Sequence, residues 1–148
     1  MANYSTLCIS ELFTEIMTTY ELIHHPDVTP RLHELANYFY EEEGEGGITL
    51  LCEFCASRYE EGIETLLKAG ADPNKNSTNY GVNITPFEWL LENFRFDDKS
   101  LRIALLLKEY GADLYRKGVK VNQLIDRVAD ERYRTEIEGE MIKEPDVE

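Results

Sequence analysis

The feature that most limits how this chain can fold is a unit written twice. Residues 47–74 read GITLLCEFCASRYEEGIETLLKAGADPN, and residues 83–114 read NITPFEWLLENFRFDDKSLRIALLLKEYGADL. Each opens on a Thr placed to cap a helix and runs through an apolar-striped segment. Each then enters a second helix carrying a Leu-Leu pair and leaves through Gly-Ala-Asp. Thr49 to Thr85 spans 36 residues, whereas Asp72 to Asp113 spans 41. Thr49 to Gly70 covers 21 residues and Thr85 to Gly111 covers 26, so the second copy carries five extra residues in or beside NFRFDDKS. Two helices followed by a fixed exit, repeated, predict stacked helix pairs.

Local chemistry agrees with that outline. Gly70 and Gly111 can take the left-handed conformation that closes a helix, and Ala71 and Ala112 are small. Asp72 and Asp113 can accept from backbone amides in the turns that follow. Thr85, Pro86 and Glu88 form a capping box in sequence. Leu50, Leu51, Phe54 and Cys55 supply one apolar face; Ile63, Leu66 and Leu67 supply the next. Phe87, Leu90 and Leu91, then Leu101, Ile103 and Leu105 to Leu107, supply the same faces in the second copy.

The flanks are less regular. Leu12, Ile16, Tyr20 and Ile23 lie at helical spacing, and His24 to Pro30 breaks the pattern. Thr29-Pro30 restarts a helix that uses Leu32, Leu35, Ala36, Phe39 and Tyr40 and frays in the acidic EEEGEGG of residues 41–47. The stretch PNKNSTNYGVNI reads as a polar, turn-rich loop. Val121, Leu124, Ile125 and Val128, continuing to Ile137, give a closing helix with a charged outer side, and residues 139–148 form a tail.

Over residues 47–114 these motifs resemble the ankyrin repeat, a β-turn plus two antiparallel helices with a Thr-Pro-Leu-His opening. Thr49 and Leu51 match that opening, with Leu50 in place of Pro and Cys52 in place of His. Thr85 and Pro86 match it again, with Phe87 for Leu and Glu88 for His. Both Gly-Ala-Asp exits match, as does Asn74 after the first. In the family the His ties the Thr-led turn to its neighbour. Glu88 can complete its own capping box, whereas Cys52 is a weak substitute, so packing is expected to hold the Thr49 turn. The resemblance implies an all-α, short ankyrin-type solenoid of about three repeats plus a C-terminal capping helix. Its parts would be 9–47 (divergent first repeat or N-cap), 47–82, 83–117 and 118–138, in one domain. It also implies a protein that binds other proteins through projecting loops and first-helix surfaces, without catalysis.

Composition narrows the function. Apolar residues make up 43% of the 148, with nine Tyr and six Phe, enough to form a core and too many for a disordered acidic chain. No apolar run is long enough to cross a bilayer, and the N-terminus lacks the basic region of a signal peptide, so no membrane insertion is expected. Three Cys suggest the cytoplasm or another reducing compartment; delivery into a host cell is also compatible. The formal charge of -14 argues against direct nucleic-acid binding and favours a partner protein with a basic patch.

Chemistry-bearing motifs are sparse. Cys52 and Cys55 form a CxxC that fits core packing, with redox or metal chemistry as the alternative. His24, His25, His33 and Asp27 are the only His-rich neighbourhood. Asp97 and Asp98 lie in the inserted stretch without a paired base. No phosphate loop or nucleophile triad is present. The binding candidates are the acids Glu41, Glu42, Glu43 and Glu45 and the aromatics Tyr80, Trp89, Phe94 and Phe96. The leading expectation is a non-enzymatic, cofactor-free adaptor or inhibitor that binds a basic protein surface. The alternatives are a metal- or redox-active protein, a nucleic-acid mimic, or a pathogen or phage protein acting on a host factor. Self-association through an incompletely covered terminal repeat also fits.

Overall fold

The computed structural model describes residues 4–42, 46–79, 81–91, 97–116 and 119–131. Its helices are α1 (Ile9–Thr18), α2 (Leu32–Leu35), α3 (Leu50–Ala56), α4 (Glu60–Lys68), α5 (Pro86–Leu91) and α6 (Asp98–Glu109). Single 3-10 turns occupy Tyr20–His24 and Thr29–Arg31, and residues 122–131 are helical. α3 packs against α1 and α5, while α4 packs on α3, on α6 and on the 3-10 turn at Tyr20–His24. Phe13 and Ile16, Leu51 and Phe54, Ile63 and Leu66, Phe87 and Leu90, and Ile103 and Leu107 carry one continuous core across these helices. At seven residues α3 is far below the length that is stable alone. Its five buried side chains hold it, each at about 1.5–3 kcal/mol for a large apolar group.

The chain is mixed α and β, which overturns the expected all-α solenoid. β1 (Tyr40–Glu42), β2 (Gly46–Ile48), β3 (Ser77–Asn79) and β4 (Val82–Ile84) form one antiparallel sheet in that order. β5 (Tyr115–Arg116) and β6 (Val119–Lys120) form a separate ribbon. The strands lie in the segments read as fraying helix end and polar loop. Two hairpins join through β2 and β3, with Gly46 opposite Asn79 and Gly47 opposite Thr78. Gly46 has φ +104, and a Cβ there would lie 2.3 Å from the Thr78 carbonyl oxygen. At Gly47 a Cβ would lie 2.2 Å from the Phe39 ring. These glycines permit close strand approach, in a stretch where the sequence predicts a fraying helix end.

The second helix of the N-terminal part also differs from expectation. It ends at Leu35 after a 3-10 turn around Pro30, and Tyr40 belongs to β1. Asn37 explains the stop. Its Oδ1 accepts from the Asp72 amide at 2.7 Å, and its Nδ2 donates to the Gly70 carbonyl at 3.0 Å. Asn74 repeats this on the next exit, accepting from the Asp113 amide at 2.7 Å and donating to the Gly111 carbonyl at 3.0 Å. Asn122 does the same one residue further on, with the Leu114 amide and the Ala112 carbonyl. The exits themselves close as Schellman turns. Ala71 and Ala112 amides reach back to Leu66 and Leu107 carbonyls, with φ of +101 at Gly70 and +97 at Gly111.

The Thr-led turns are held by polar bonds as well as packing. Thr49 Oγ1 accepts from the Cys52 amide at 3.2 Å, and the Thr49 amide donates to the buried Ser77 hydroxyl at 3.1 Å. Ser77 thus supplements the long bond that the Cys52 thiol donates to the Lys75 carbonyl at 3.8 Å. At Thr85 the capping box forms: Glu88 Oε1 accepts from the Thr85 amide at 2.9 Å, and Thr85 Oγ1 accepts from the Glu88 amide at 3.2 Å.

Two substitutions test this construction. Gly62→Ala should gain up to about 1 kcal/mol from helix propensity, but its Cβ would lie 2.6 Å from the Phe54 and Tyr59 rings. Overpacking of that kind costs about 1–3 kcal/mol, so thermal denaturation should show a lower Tm. Asn74→Ala removes two hydrogen bonds and should cost about 1–3 kcal/mol. Hydrogen exchange should then accelerate at the Asp113 amide while the Asp72 amide, held by Asn37, keeps its protection.

Candidate functional site

A cleft of about 410 Å³ lies between α1, the sheet and α5. Phe13, Thr14, Met17 and Thr18 line it from α1, Tyr40, Gly46, Gly47 and Ile48 from the first hairpin, Thr78 and Asn79 from β3, and Trp89 from α5. Phe13 and Tyr40 stack with ring centroids 5.1 Å apart and planes inclined by 2°. Thr14 and Thr18 hydroxyls donate to carbonyls of their own helix, at 2.8 Å to Glu11 and 3.1 Å to Thr14. The Thr78 hydroxyl accepts from the Gly47 amide at 2.9 Å. The indole N–H of Trp89 is buried and has no hydrogen-bond partner among the described residues. Among the described residues no charged side chain lines the cleft.

The charge lies around it. Residues 1–57 hold ten acids and a single base, Arg31, out of 29 acids and 15 bases in the chain. Arg31 is already committed. Its guanidinium forks onto Glu34 at 3.0 Å and donates to the Tyr4 and Leu7 carbonyls, the former at 3.1 Å. Glu11 and Glu15 on α1 and Glu41 on β1 are exposed. Exposed acids therefore stand on two of the elements that frame the cleft.

Of the sequence candidates, the structure brings Trp89 to the cleft and places Glu41 one residue beyond the cleft-lining Tyr40. The backbone of Glu42 pairs with Gly46. Glu43, Glu45, Tyr80, Phe94 and Phe96 lie outside the described residues. The sequence does not single out Phe13, Met17, Ile48 or Asn79 as site residues, and it places Tyr40 on a helix face where the structure has β1. The two-residue Tyr80-Gly81 link between STN and VNI was the available signal for the second hairpin.

The remaining motifs have structural partners. Cys52 and Cys55 are fully buried in the core, and burial pushes both thiols upward, Cys55 well above the ordinary range. A reactive thiol needs the opposite shift and solvent access. Cys8 alone is exposed. His25 accepts from the Asp27 amide at 3.0 Å and packs edge-on against Tyr4, while His24 faces Tyr59. Among the described residues no three His, Cys, Asp or Glu side chains gather as a metal site. Asp97 caps α6, accepting from the Ser100 amide at 3.0 Å, and pairs with Arg58. The amide bond, followed by the guanidinium, holds its carboxyl well below the usual range, so it stays ionised and is no general base. The Tyr20 hydroxyl donates to Glu53 and lies 2.7 Å from Ser57 Oγ; burial first, then Glu53, raises it, so the phenol stays protonated. Among the described residues no helix is long and apolar enough to cross a membrane.

Thiol titration separates packing from redox chemistry. The native protein should react at one thiol, Cys8, and the denatured protein at all three; rapid native labelling of Cys52 or Cys55 would restore the redox reading. Comparisons with family models, with curated proteins and with solved structures each found no match to this chain.

Proposed function

We propose that this protein is a non-enzymatic binding module, an adaptor or inhibitor whose acidic N-terminal part takes a basic surface of a partner protein. The observation that carries the reading is the coincidence of the cleft with the stretch holding ten acids and one committed base. A negative field of this kind accelerates encounter with cationic partners and excludes polyanions. The core thiols and the committed Asp97 and Tyr20 leave the described residues without an assembled catalytic set, which favours binding over turnover.

The likeness to ankyrin repeats is part of the same proposal. Helix pairs alternating with hairpins, Schellman exits at both Gly-Ala-Asp motifs and an Asn clamp on each exit support it. Proteins built this way present hairpins and first helices to a partner.

Affinity capture from the protein's own cellular context tests the proposal. The control is a quadruple variant with Glu41, Glu42, Glu43 and Glu45 replaced by Gln. The native chain should enrich a basic protein at ~0.05 M salt, and the variant should lose most of it. The difference should shrink near ~0.5 M, where the Debye length falls to a few ångströms. Equal capture by both chains at low salt would reject the acidic surface.

A further inference from the structure

We infer that the cleft seats one large apolar side chain from a peptide segment whose neighbouring residues are lysine and arginine; this rests on the binding reading proposed above. Tyr40, stacked on the fully buried Phe13, and Met17, Ile48 and Trp89 offer aromatic and aliphatic surface with no charged group among them. A cation pushed to that floor would lose its water without meeting a counter-charge among the described residues, which is costly. A leucine or phenylalanine side chain there gains burial instead.

The surroundings set the opposite requirement. Glu11, Glu15 and Glu41 are exposed on the elements that frame the cleft. The one basic side chain in residues 1–57 is held by Glu34 and two backbone carbonyls. Residues flanking the anchor therefore cross a strongly negative surface, and lysine and arginine complement it. At about 410 Å³ the cleft lies at the low end of the roughly 300–1,000 Å³ found for pockets that enclose small ligands. That is room for a side chain and its backbone, and too little for the face of a folded domain. The occupant is thus a basic segment with an apolar anchor, presented from a partner's terminus or loop.

The protein carries its own reporter, because Trp89 is the only tryptophan in the chain and lines the cleft. Short synthetic peptides with Lys and Arg on both sides of a central Leu, Phe, Gly or Asp are titrated against the full chain. Trp emission and calorimetry are followed together. The Leu and Phe peptides should bind roughly tenfold or more tighter than the Gly peptide and shift the Trp emission; the Asp peptide should be weakest. Thr14→Arg, at the exposed rim, should abolish the preference for Leu over Gly. Glu64→Gln, an equal charge change on α4 away from the cleft, should preserve it. Equal affinity for the Leu and Gly peptides with an unmoved emission would overturn the anchor while leaving the basic-partner reading standing. Failure of every basic peptide to bind up to millimolar concentration would overturn both. Binding of free arginine or spermidine as tight as that of the Leu peptide would make this a small-cation site and also overturn the proposal.

Discussion

The structure depends on a side chain that can give and take a hydrogen bond at once. An asparagine amide offers both a carbonyl and an amino group, so it can close a turn by bonding one backbone N–H and one backbone C=O. Asn37 reaches forward to Gly70 and Asp72, and Asn74 reaches forward to Gly111 and Asp113. Asn122 instead reaches back, to Ala112 and Leu114. The Gly111 exit is thus held from both sides, by Asn74 before it and by Asn122 after it. Each clamp satisfies groups that the end of a helix leaves free. Each also fixes where the following hairpin starts.

From the clamps the sheet follows, and from the sheet the cleft. With Asn37 fixed on the Gly70 turn, Tyr40–Glu42 and Gly46–Ile48 are delivered beside Ser77–Asn79. Ser77 then ties β3 to the cap of α3 through the Thr49 amide, in a place with no access to water. The close approach of β2 to Thr78 on one side and Phe39 on the other leaves no space for a Cβ at residue 46 or 47. The strand so placed forms one wall of the cleft that α1, Tyr40 and Trp89 complete.

Much of the helical architecture was legible in the sequence, and for a clear reason. Helices α3 to α6 carry side chains at a period that shows within ten residues, and their ends are marked by Thr, Asp and Gly in positions with a defined hydrogen-bonding role. The Thr85–Glu88 capping box and the two glycine closures follow from local rules alone. The strands were hidden because three residues are too few to show alternation, and because their pairing is decided by partners about thirty residues away. Glu, Gly and Asn dominate them, and those residues signal loops when read singly. Asn37 was hidden for a related reason: nothing near it in sequence reveals that its partners are Gly70 and Asp72. The acidic character of the N-terminal part was visible, whereas the placing of α1, the first hairpin and Trp89 around one cleft was not.

Electrostatics divides the molecule in a way that bears on that cleft. From residue 58 onward, opposite charges meet one another: Arg58 with Asp97, Glu60 with Arg102, Glu64 with Lys68, Lys108 with Asp126 and Asp113 with Lys120. Among the described residues before that point, Arg31–Glu34 is the only ion pair. Surface pairs contribute little stability, so this contrast is not explained by a need to hold the fold together. What local pairing does change is the field: paired charges cancel within a few ångströms, whereas ten acids beside one committed base do not. The excess has an internal cost in self-repulsion. It falls on the part of the chain whose second helix is shortest, where α2 has four residues against nine in α4 and twelve in α6. Stability alone would favour spreading that charge or matching it. Exposed Glu11, Glu15 and Glu41 on the elements framing a recess with no charged lining among the described residues make sense if, as proposed, a cationic partner supplies the missing half of the electrostatics from outside.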